Sequence, residues 1–420
     1  MSATAPPILE RPAGPAPSPA RVLADFGPAY GVNGLIGFIF AASGPVAVIL
    51  SAGQRGGLGA TELASWLFGV FFVNGLLTIA LSWRYRTPLV FFWTIPGTVL
   101  VGPALGHASH AEVLGAFVVT GVLMAMLGLS GWVRRGLAAV PMPLVMAMVA
   151  GVFLRFGLDL VRAVHEDLWI AGPMVLAFVA LTAVPRLARA MPPMIGTLLV
   201  GAAAVALDGR VQWPVGASLA IVPPTLYLPA FSWPVMLELV VPLAITVLVV
   251  QNGQGFAVLR AAGHEPPVNV VTLACGLVSV AVAFVGAVSS CLTGPTNALV
   301  ASSGERARHY TGAIAVGVLA LAFGLASAGV TAVMLALPKA FIATLAGLAM
   351  LRVLHGAFAT AFRDRFPIGA LTTFIVTVAD LPIAGIGAPF WGLVIGFAVS
   401  WAIERGDLAA TSGTNTGTGR

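Results

Sequence analysis

Charge is what this sequence has least of: only 9% of its 420 residues are Asp, Glu, Lys or Arg, and lysine occurs once, at Lys339. With 59% hydrophobic residues, the chain carries more apolar surface than one soluble core could bury, so it reads as an integral membrane protein. Cysteine is nearly absent too. Cys275 and Cys291 both lie in apolar stretches without CxxC or Cys/His spacing, so no disulfide framework, metal site or other cofactor is expected. No GxxxxGK[ST] loop appears, which argues against ATP-driven pumping by this chain. No histidine sits in a span beside Cys291 or a serine of "SSC" to act as a base, so an intramembrane enzyme is not expected. The start, "MSATAPPILERPAGPAPSPARV", has no basic head followed by an apolar core, so it does not read as a cleaved signal peptide. Both ends are rich in Pro, Ala, Gly, Thr and Ser, and residues 1–27 and 406–420 are expected to be disordered tails. The net charge of +6 is no nucleic-acid signal in such a chain; its meaning depends on the side of the bilayer that the arginines occupy.

Apolar runs punctuated by Gly, Pro and charge give fourteen candidate crossings, starting near residues 31, 61, 88, 111, 137, 170, 192, 232, 268, 289, 309, 330, 366 and 385. Cytoplasmic loops should hold the Lys/Arg excess. With a cytoplasmic N-terminus, sixteen arginines fall inside and four outside (Arg55, Arg155, Arg162 and Arg210), while Lys339 falls within a span. Both termini are therefore expected in the cytoplasm.

Two crossings carry helix breakers at mid-span. "FFWTIPGTVLVGPAL" (Phe91 to Leu105) contains Pro96-Gly97, and "SSCLTGPTNALVASS" (Ser289 to Ser303) contains Gly294-Pro295. Removing the first as a crossing would put Arg84/Arg86 and Arg134/Arg135 on opposite faces. The breaks also belong to an internal echo. "GVLMAMLGL" at 121–129 matches "GVLALAFGL" at 317–325 at five of nine positions, and "VAG" at 149–151 meets "LAG" at 345–347 at the same offset. Seven crossings per copy is odd, so the copies enter the membrane in opposite senses, the inverted-repeat plan of secondary transporters. In that plan the broken helices meet near midplane, with Pro96/Gly97 and Pro295 within ~10 Å of each other, and their free N–H ends favour an anionic or electron-rich group. The competing reading of either break is a packing kink.

Several longer stretches, "QNGQGFAVLRAAGHEPPVN" (Gln251 to Asn269), "TGPTNALVA" (Thr293 to Ala301), "PKAFIATLAGLAML" (Pro338 to Leu351) and "GIGAPFWGLVIGF" (Gly385 to Phe397), resemble the benzoate/proton symporter (BenE) family. The resemblance runs over nearly all of residues 25–405. It implies an all-α polytopic fold similar to uracil permease and sulfate-permease transporters: fourteen segments in two inverted repeats of seven, with a short strand before a half-helix in segments three and ten. It also implies a core domain (28–135 and 231–329) and a gate domain (136–230 and 330–405). Nucleobase members of that wider fold hold substrate with acids in segments eight and ten; here the matching positions read Gln251, and Thr296 followed by Asn297. Amides and hydroxyls in place of carboxylates suit an anionic substrate, and leave the proton-coupling residue open.

The expected substrate site comprises Phe40, Ser43, Phe92, Trp93, Thr94, Gly97, Thr98, Gln251, Asn252, Thr293, Gly294, Thr296 and Asn297. The aromatic members, with Phe38 and Phe91, either stack on a ring or serve as ordinary core and lipid-facing residues. "SGP" at 43–45 and "NGQG" at 252–255 are small, flexible points at which helices can unwind or approach. Glu238, on one helical face with Pro242, Thr246 and Asn252, is either a proton carrier or a hydrated acid near a helix end. Asp380 reads as a turn or capping residue and Lys339 as an ion pair or a snorkelling head. The six histidines lie at loops or segment ends and suggest no relay. The expected function is import of a small aromatic carboxylate, benzoate or a near relative, driven by protons, from a bilayer-embedded chain that admits a homodimer. The rival within transport is an inorganic anion exchanger or channel.

Overall fold

The computed structural model describes residues 8–133, 141–184, 186, 191–209, 223–302, 304–363, 365–381, 383 and 388–407. Arg134, Arg135, Arg189, Arg210 and positions 408–420 of the expected C-terminal tail lie outside the described residues.

A short helix α1 (Pro19–Asp25) precedes the first repeat, which runs α2 (Pro28–Ala42), α3 (Gly44–Arg55), α4 (Ala60–Phe68), a π-helical turn Gly69–Val73, α5 (Asn74–Tyr85), β1 (Phe91–Trp93), α6 (Ile95–Leu105), α7 (His110–Ser130), α8 (Met142–Glu166), α9 (Leu168–Ala183) and α10 (Pro193–Asp208). The second comprises α11 (Trp233–Ile245), a π-helical stretch Thr246–Asn252, α12 (Gly253–Ala261), α13 (Val268–Ala283), β2 (Ser290–Leu292), α14 (Gly294–Val300), α15 (His309–Leu325), α16 (Ser327–Ala336), α17 (Lys339–Ala361), α18 (Pro367–Ala379) and α19 (Ala388–Ile403). Among the described residues, seven continuous helical runs are long and apolar enough to cross a membrane.

The inverted repeat is visible in both register and packing. Ile95 and Gly294, like His110 and His309, start equivalent elements 199 residues apart. Packing follows a two-fold: α7 lies on α13 as α5 lies on α15, α8 packs against its own counterpart α17, and α9 on α10 mirrors α18 on α19. β1 and β2 pair antiparallel about the same axis, Phe91 with Leu292, Phe92 with Cys291 and Trp93 with Ser290. Where α7 meets α13 the backbones touch: a Cβ added to Gly276 would lie 2.4 Å from the Ala125 nitrogen, and one added to Gly121 2.8 Å from the Gly276 carbonyl oxygen. Small residues at such crossings let van der Waals contact replace the hydrophobic drive that lipid removes.

Two expectations are corrected. The crossing placed near residue 330 starts at Lys339, because Pro338 ends the preceding turn and caps α17; α16, ten residues long, spans only about 15 Å. Lys339 is thus the first residue of a helix rather than a charge within one. The N-terminal stretch expected to be disordered is laid across helix ends from residue 8 onward. The Glu10 carboxylate accepts from the Asn269 and Val270 N–H groups at 3.0–3.1 Å, capping α13, and the Tyr85 hydroxyl donates to the Glu10 carbonyl at 2.9 Å. The Trp83 indole donates to the Pro17 carbonyl at 2.7 Å. Asp25 accepts from the Tyr310 hydroxyl at 2.8 Å and pairs with Arg21 at 3.0 Å. The composition suggested a solvated tail; helix-end N–H groups and aromatic O–H and N–H donors on the facing surface supply partners that composition does not reveal.

Burial alone would raise the Asp25 carboxyl, but hydrogen bonds from Tyr310 and Arg21 and the charges of Arg21 and Arg86 outweigh it and hold it below its usual range. A carboxyl depressed in this way adds stability above its unfolded pKa and loses it as pH falls through the lower folded value. Asp25→Asn is therefore expected to loosen the strap at neutral pH. Limited trypsin digestion should show faster cleavage after Arg21 with the membrane-embedded fragment unchanged; equal cleavage rates would refute the docking role. Gly276→Ala is expected to cost about 1–3 kcal/mol through overpacking against α7, read as a lower melting temperature in detergent.

Candidate functional site

Breaking a helix in hydrocarbon exposes backbone groups that cost several kcal/mol each unless the protein satisfies them. Here side chains from flanking helices do so. From α5, the Thr78 hydroxyl accepts from the Phe91 N–H at 2.9 Å, and Ser82 accepts from Leu89 N–H at 3.0 Å while donating to its carbonyl at 3.1 Å. Asn297 of α14 brackets the residue between them, accepting from Val90 N–H at 3.0 Å and donating to its carbonyl at 3.1 Å. On the other strand, Asn252 accepts from Leu292 N–H at 2.7 Å, and Ser279 of α13 accepts from Ser290 N–H at 2.9 Å. Thr78 on β1 and Ser279 on β2 are related by the repeat; the two asparagines are not, since Asn297 reaches across to the other half and Asn252 stays within its own.

Beyond the strands, Thr94 N–H donates to Ser289 O and Thr293 N–H to Val90 O, both at 3.1 Å, and each threonine is the N-cap of a half-helix. Antiparallel register places these caps at opposite ends of the pairing, four strand residues apart, or about 13 Å at about 3.3 Å per residue. The half-helix starts therefore flank the strand pair at its two ends. The Thr94 hydroxyl accepts from Gly97 N–H and donates to the Thr246 hydroxyl, each at 3.1 Å, and Thr98 donates back to the Thr94 carbonyl. A Cβ at Gly97 would lie 2.4 Å from the Thr94 methyl and 2.8 Å from Leu243, so this start is pressed against α11.

Several expected substrate contacts are thus committed elsewhere. Asn252 and Asn297 are buried strand clamps, with Asn297 also donating to the Thr293 carbonyl at 2.6 Å. Thr94 and Thr98 satisfy the cap. Ser43, at the break between α2 and α3, donates to the Phe40 carbonyl at 3.1 Å. The Thr296 methyl packs toward Gly37, and its hydroxyl lies 3.5 Å from that of Thr293. Phe40 is half-buried, and Gly294 faces the Gln254 side chain. Sequence reasoning could recognise donors but not which of them the broken backbone would consume.

Uncommitted donors remain. Gln251, in the π-helical stretch of the eighth segment, makes no hydrogen bond to a described residue. The Trp93 indole N–H and the hydroxyls of Ser289 and Ser290 are buried without a partner, all at the α6 end of the strand pair. Around them stands an aromatic cluster: Phe71 lies 5.4 Å from Phe92, 5.3 Å from Trp93 and 4.3 Å from Phe323, and Phe38 lies 5.7 Å from Phe323, centroid to centroid. Phe38, Phe92 and Trp93 were legible as candidates. Phe71, Phe323, Ser289 and Ser290 were missed, because nothing in their local sequence separates them from ordinary span residues. Phe91, by contrast, is buried in a separate cluster with Leu89 and Phe256.

Glu238 is buried on α11, its carboxylate 2.8 Å from Nε2 of His107 in the turn after α6. Eight residues separate it from Thr246, about 12 Å along the helix, so it does not touch the caps. A second histidine contact that the sequence did not reveal joins His264 and His309, at 3.1 Å. Burial, with His309 and Arg306 adding to it, pushes His264 in its interhelical turn down to about 4. Asp380 takes the expected turn role, with left-handed backbone (φ 53°) at the end of α18, and pairs with Arg155.

Residues 24–402 match the family described as benzoate membrane transport protein, BenE. Inner membrane protein YdcO of Escherichia coli (strain K12) is 30% identical over 370 residues, 86% of this chain and 93% of that protein. A benzoate membrane transport protein of Acinetobacter baylyi is 28% identical over 374 residues, 87% and 92% of the two chains. In fold, the chain is similar to the transmembrane domain of the cyanobacterium bicarbonate transporter BicA (TM-score 0.60, 16% identity, 91% of this chain and 98% of that one). It is also similar to SLC26A9 (TM-score 0.61, 15% identity, 88% and 64%). With the relatives transporters rather than enzymes, and with the paired half-helices in place, the chain belongs to the benzoate membrane transport protein family and is a multi-pass membrane transporter.

Proposed function

We propose that this transporter imports a small aromatic carboxylate, benzoate or a near relative, in symport with protons. The observation that carries the reading is the set of buried, unpartnered donors, Trp93 Nε1 and the Ser289 and Ser290 hydroxyls, beside a half-helix start and an aromatic cluster. A carboxylate needs donors and a positive helix end; its ring needs apolar, polarisable neighbours. Gln251 adds an uncharged donor where an acid would repel the substrate. The curated relative from Acinetobacter baylyi carries benzoate in its name, which supports the same reading.

Transport would proceed by alternating access, with a core of segments one to four and eight to eleven rocking against a gate of five to seven and twelve to fourteen. The packing supports that division, since α8 and α17 bind each other and their own neighbours α9, α10, α18 and α19. The core meets the gate at tight points such as Gly44, where an added Cβ would lie 2.4 Å from that of Ala349. Glu238 with His107 is the candidate proton-coupling pair. Both termini would be cytoplasmic, and a C-terminal tag reached from outside intact cells would overturn that orientation. The second reading, an inorganic anion exchanger or channel, is favoured by the fold shared with BicA. Purified protein in liposomes separates the two: accumulation of labelled benzoate under an inward proton gradient supports symport, and gradient-independent chloride or sulfate flux supports the alternative.

Gln251→Ala is expected to weaken benzoate binding by roughly 0.5–3 kcal/mol at all pH values, the range that runs from an ordinary hydrogen bond to one with a charged partner. Gln251→Glu should be worse at neutral pH and recover on acidification, because an ionised carboxylate would repel the substrate and a protonated one would not. Wild-type affinity for Gln251→Glu at neutral pH, measured by titration calorimetry, would sink the site assignment. Glu238→Gln is expected to abolish proton-driven accumulation while substrate exchange persists.

A further inference from the structure

Arginine on the outer face runs against the bias that orients this chain, so its placement there calls for a cause. Of the four arginines assigned outside, Arg55, Arg155 and Arg162 gather at one place, and the fourth lies outside the described residues. A cavity of about 380 Å³ opens there between α3 and α6 on one side and α8, α18 and α19 on the other. Cavities of about 300–1,000 Å³ are the usual size for small ligands. Two guanidinium groups, Arg55 and Arg155, line it against one carboxylate, Asp380.

The pairs hold the cations in place without closing them off. Arg55 donates to Asp159 at 3.0 Å, Arg162 to the other oxygen of the same carboxylate at 3.1 Å, and Arg155 pairs with Asp380. The Arg55 and Arg155 side chains nevertheless keep 37% and 42% of their surface exposed, leaving N–H donors for an incoming anion. Phe156 lies under Arg55, 4.9 Å from ring centroid to guanidinium carbon, and Val99, Leu100 and Val152 supply apolar wall. Val99 directly follows Thr98 on α6, so the cavity floor lies about one turn from the capped half-helix start.

We propose that this cavity is an outer staging site for the transported anion, which Arg55 and Arg155 receive by its carboxylate while its ring lies on the apolar wall, before it reaches the half-helix starts. The inference rests on the reading of the substrate as an aromatic carboxylate. A concave site with paired cations and low-dielectric walls concentrates the field and raises the local concentration of anions, an effect that salt screens.

The test is labelled benzoate uptake by intact cells carrying Arg55→Gln, and separately Arg155→Gln with Asp380→Asn, which removes both members of that pair and leaves no carboxylate unpaired. Each is expected to raise KM for external benzoate about three- to tenfold, to leave kcat within about twofold of wild type, and to flatten the dependence of uptake on ionic strength. Arg55→Lys, which keeps the charge, is expected to retain most of the wild-type salt dependence. Unchanged KM and salt dependence in both neutral variants would overturn the staging site, as would a loss confined to kcat. If wild type carries chloride or sulfate instead of benzoate, the functional reading falls, and the same KM comparison on that ion still decides the staging site.

Discussion

The structure depends on one constraint: a broken backbone inside a bilayer has no water to satisfy it. Everything near the strand pair follows from meeting that demand. Thr78 and Ser82 lie one turn apart on α5, so they reach alternate residues at the entry to β1, Phe91 and Leu89, while Asn297 reaches across from the other half of the protein to Val90 between them. Asn252 and Ser279 do the same for β2. The first break is thus finished partly by α5 of its own repeat and partly by Asn297 of the other, while the second is braced from within its own repeat, and the antiparallel strand pairing closes the two halves on each other.

That arrangement decides which polar groups are free to meet a ligand. Residues nearest the breaks are consumed as clamps and caps, and the donors left over sit one step away, in Trp93, Ser289, Ser290 and Gln251. Unpaired buried donors are costly, and a native fold that retains several side by side is expected to use them. The π-helical turns reinforce the pattern: one carries Phe71 into the aromatic cluster and the other carries Gln251, in keeping with the concentration of such turns at functional sites.

Electrostatics is arranged in the same economical way. Charged side chains gather at helix ends, where the Glu10 and Asp25 carboxylates tie the N-terminal strap to helix termini and aromatic hydroxyls. At the opposite helix ends Arg55 and Arg155 line a cavity, with Arg162 paired beside them to Asp159. Among the charged groups within segments, Glu238 has His107 opposite it at 2.8 Å, which gives the buried carboxylate a hydrogen-bond partner.

By itself the sequence determined the class, the inverted-repeat plan and the location of both breaks. These follow from hydropathy and the Pro-Gly interruptions, which are local and additive along the chain. It also showed the repeat, because Thr94-Ile-Pro96-Gly97 and Thr293-Gly294-Pro295 keep nearly constant spacing. Only the tertiary structure decided that Asn252 and Asn297 brace strands, that His107 meets Glu238 across 131 residues, that residues 8–25 dock rather than trail, and that Lys339 opens a helix. The reason is physical: a hydrogen-bond donor announces its chemistry in the sequence, but its partner is set by which backbone groups the fold leaves unsatisfied, and that is a property of the assembled helices alone.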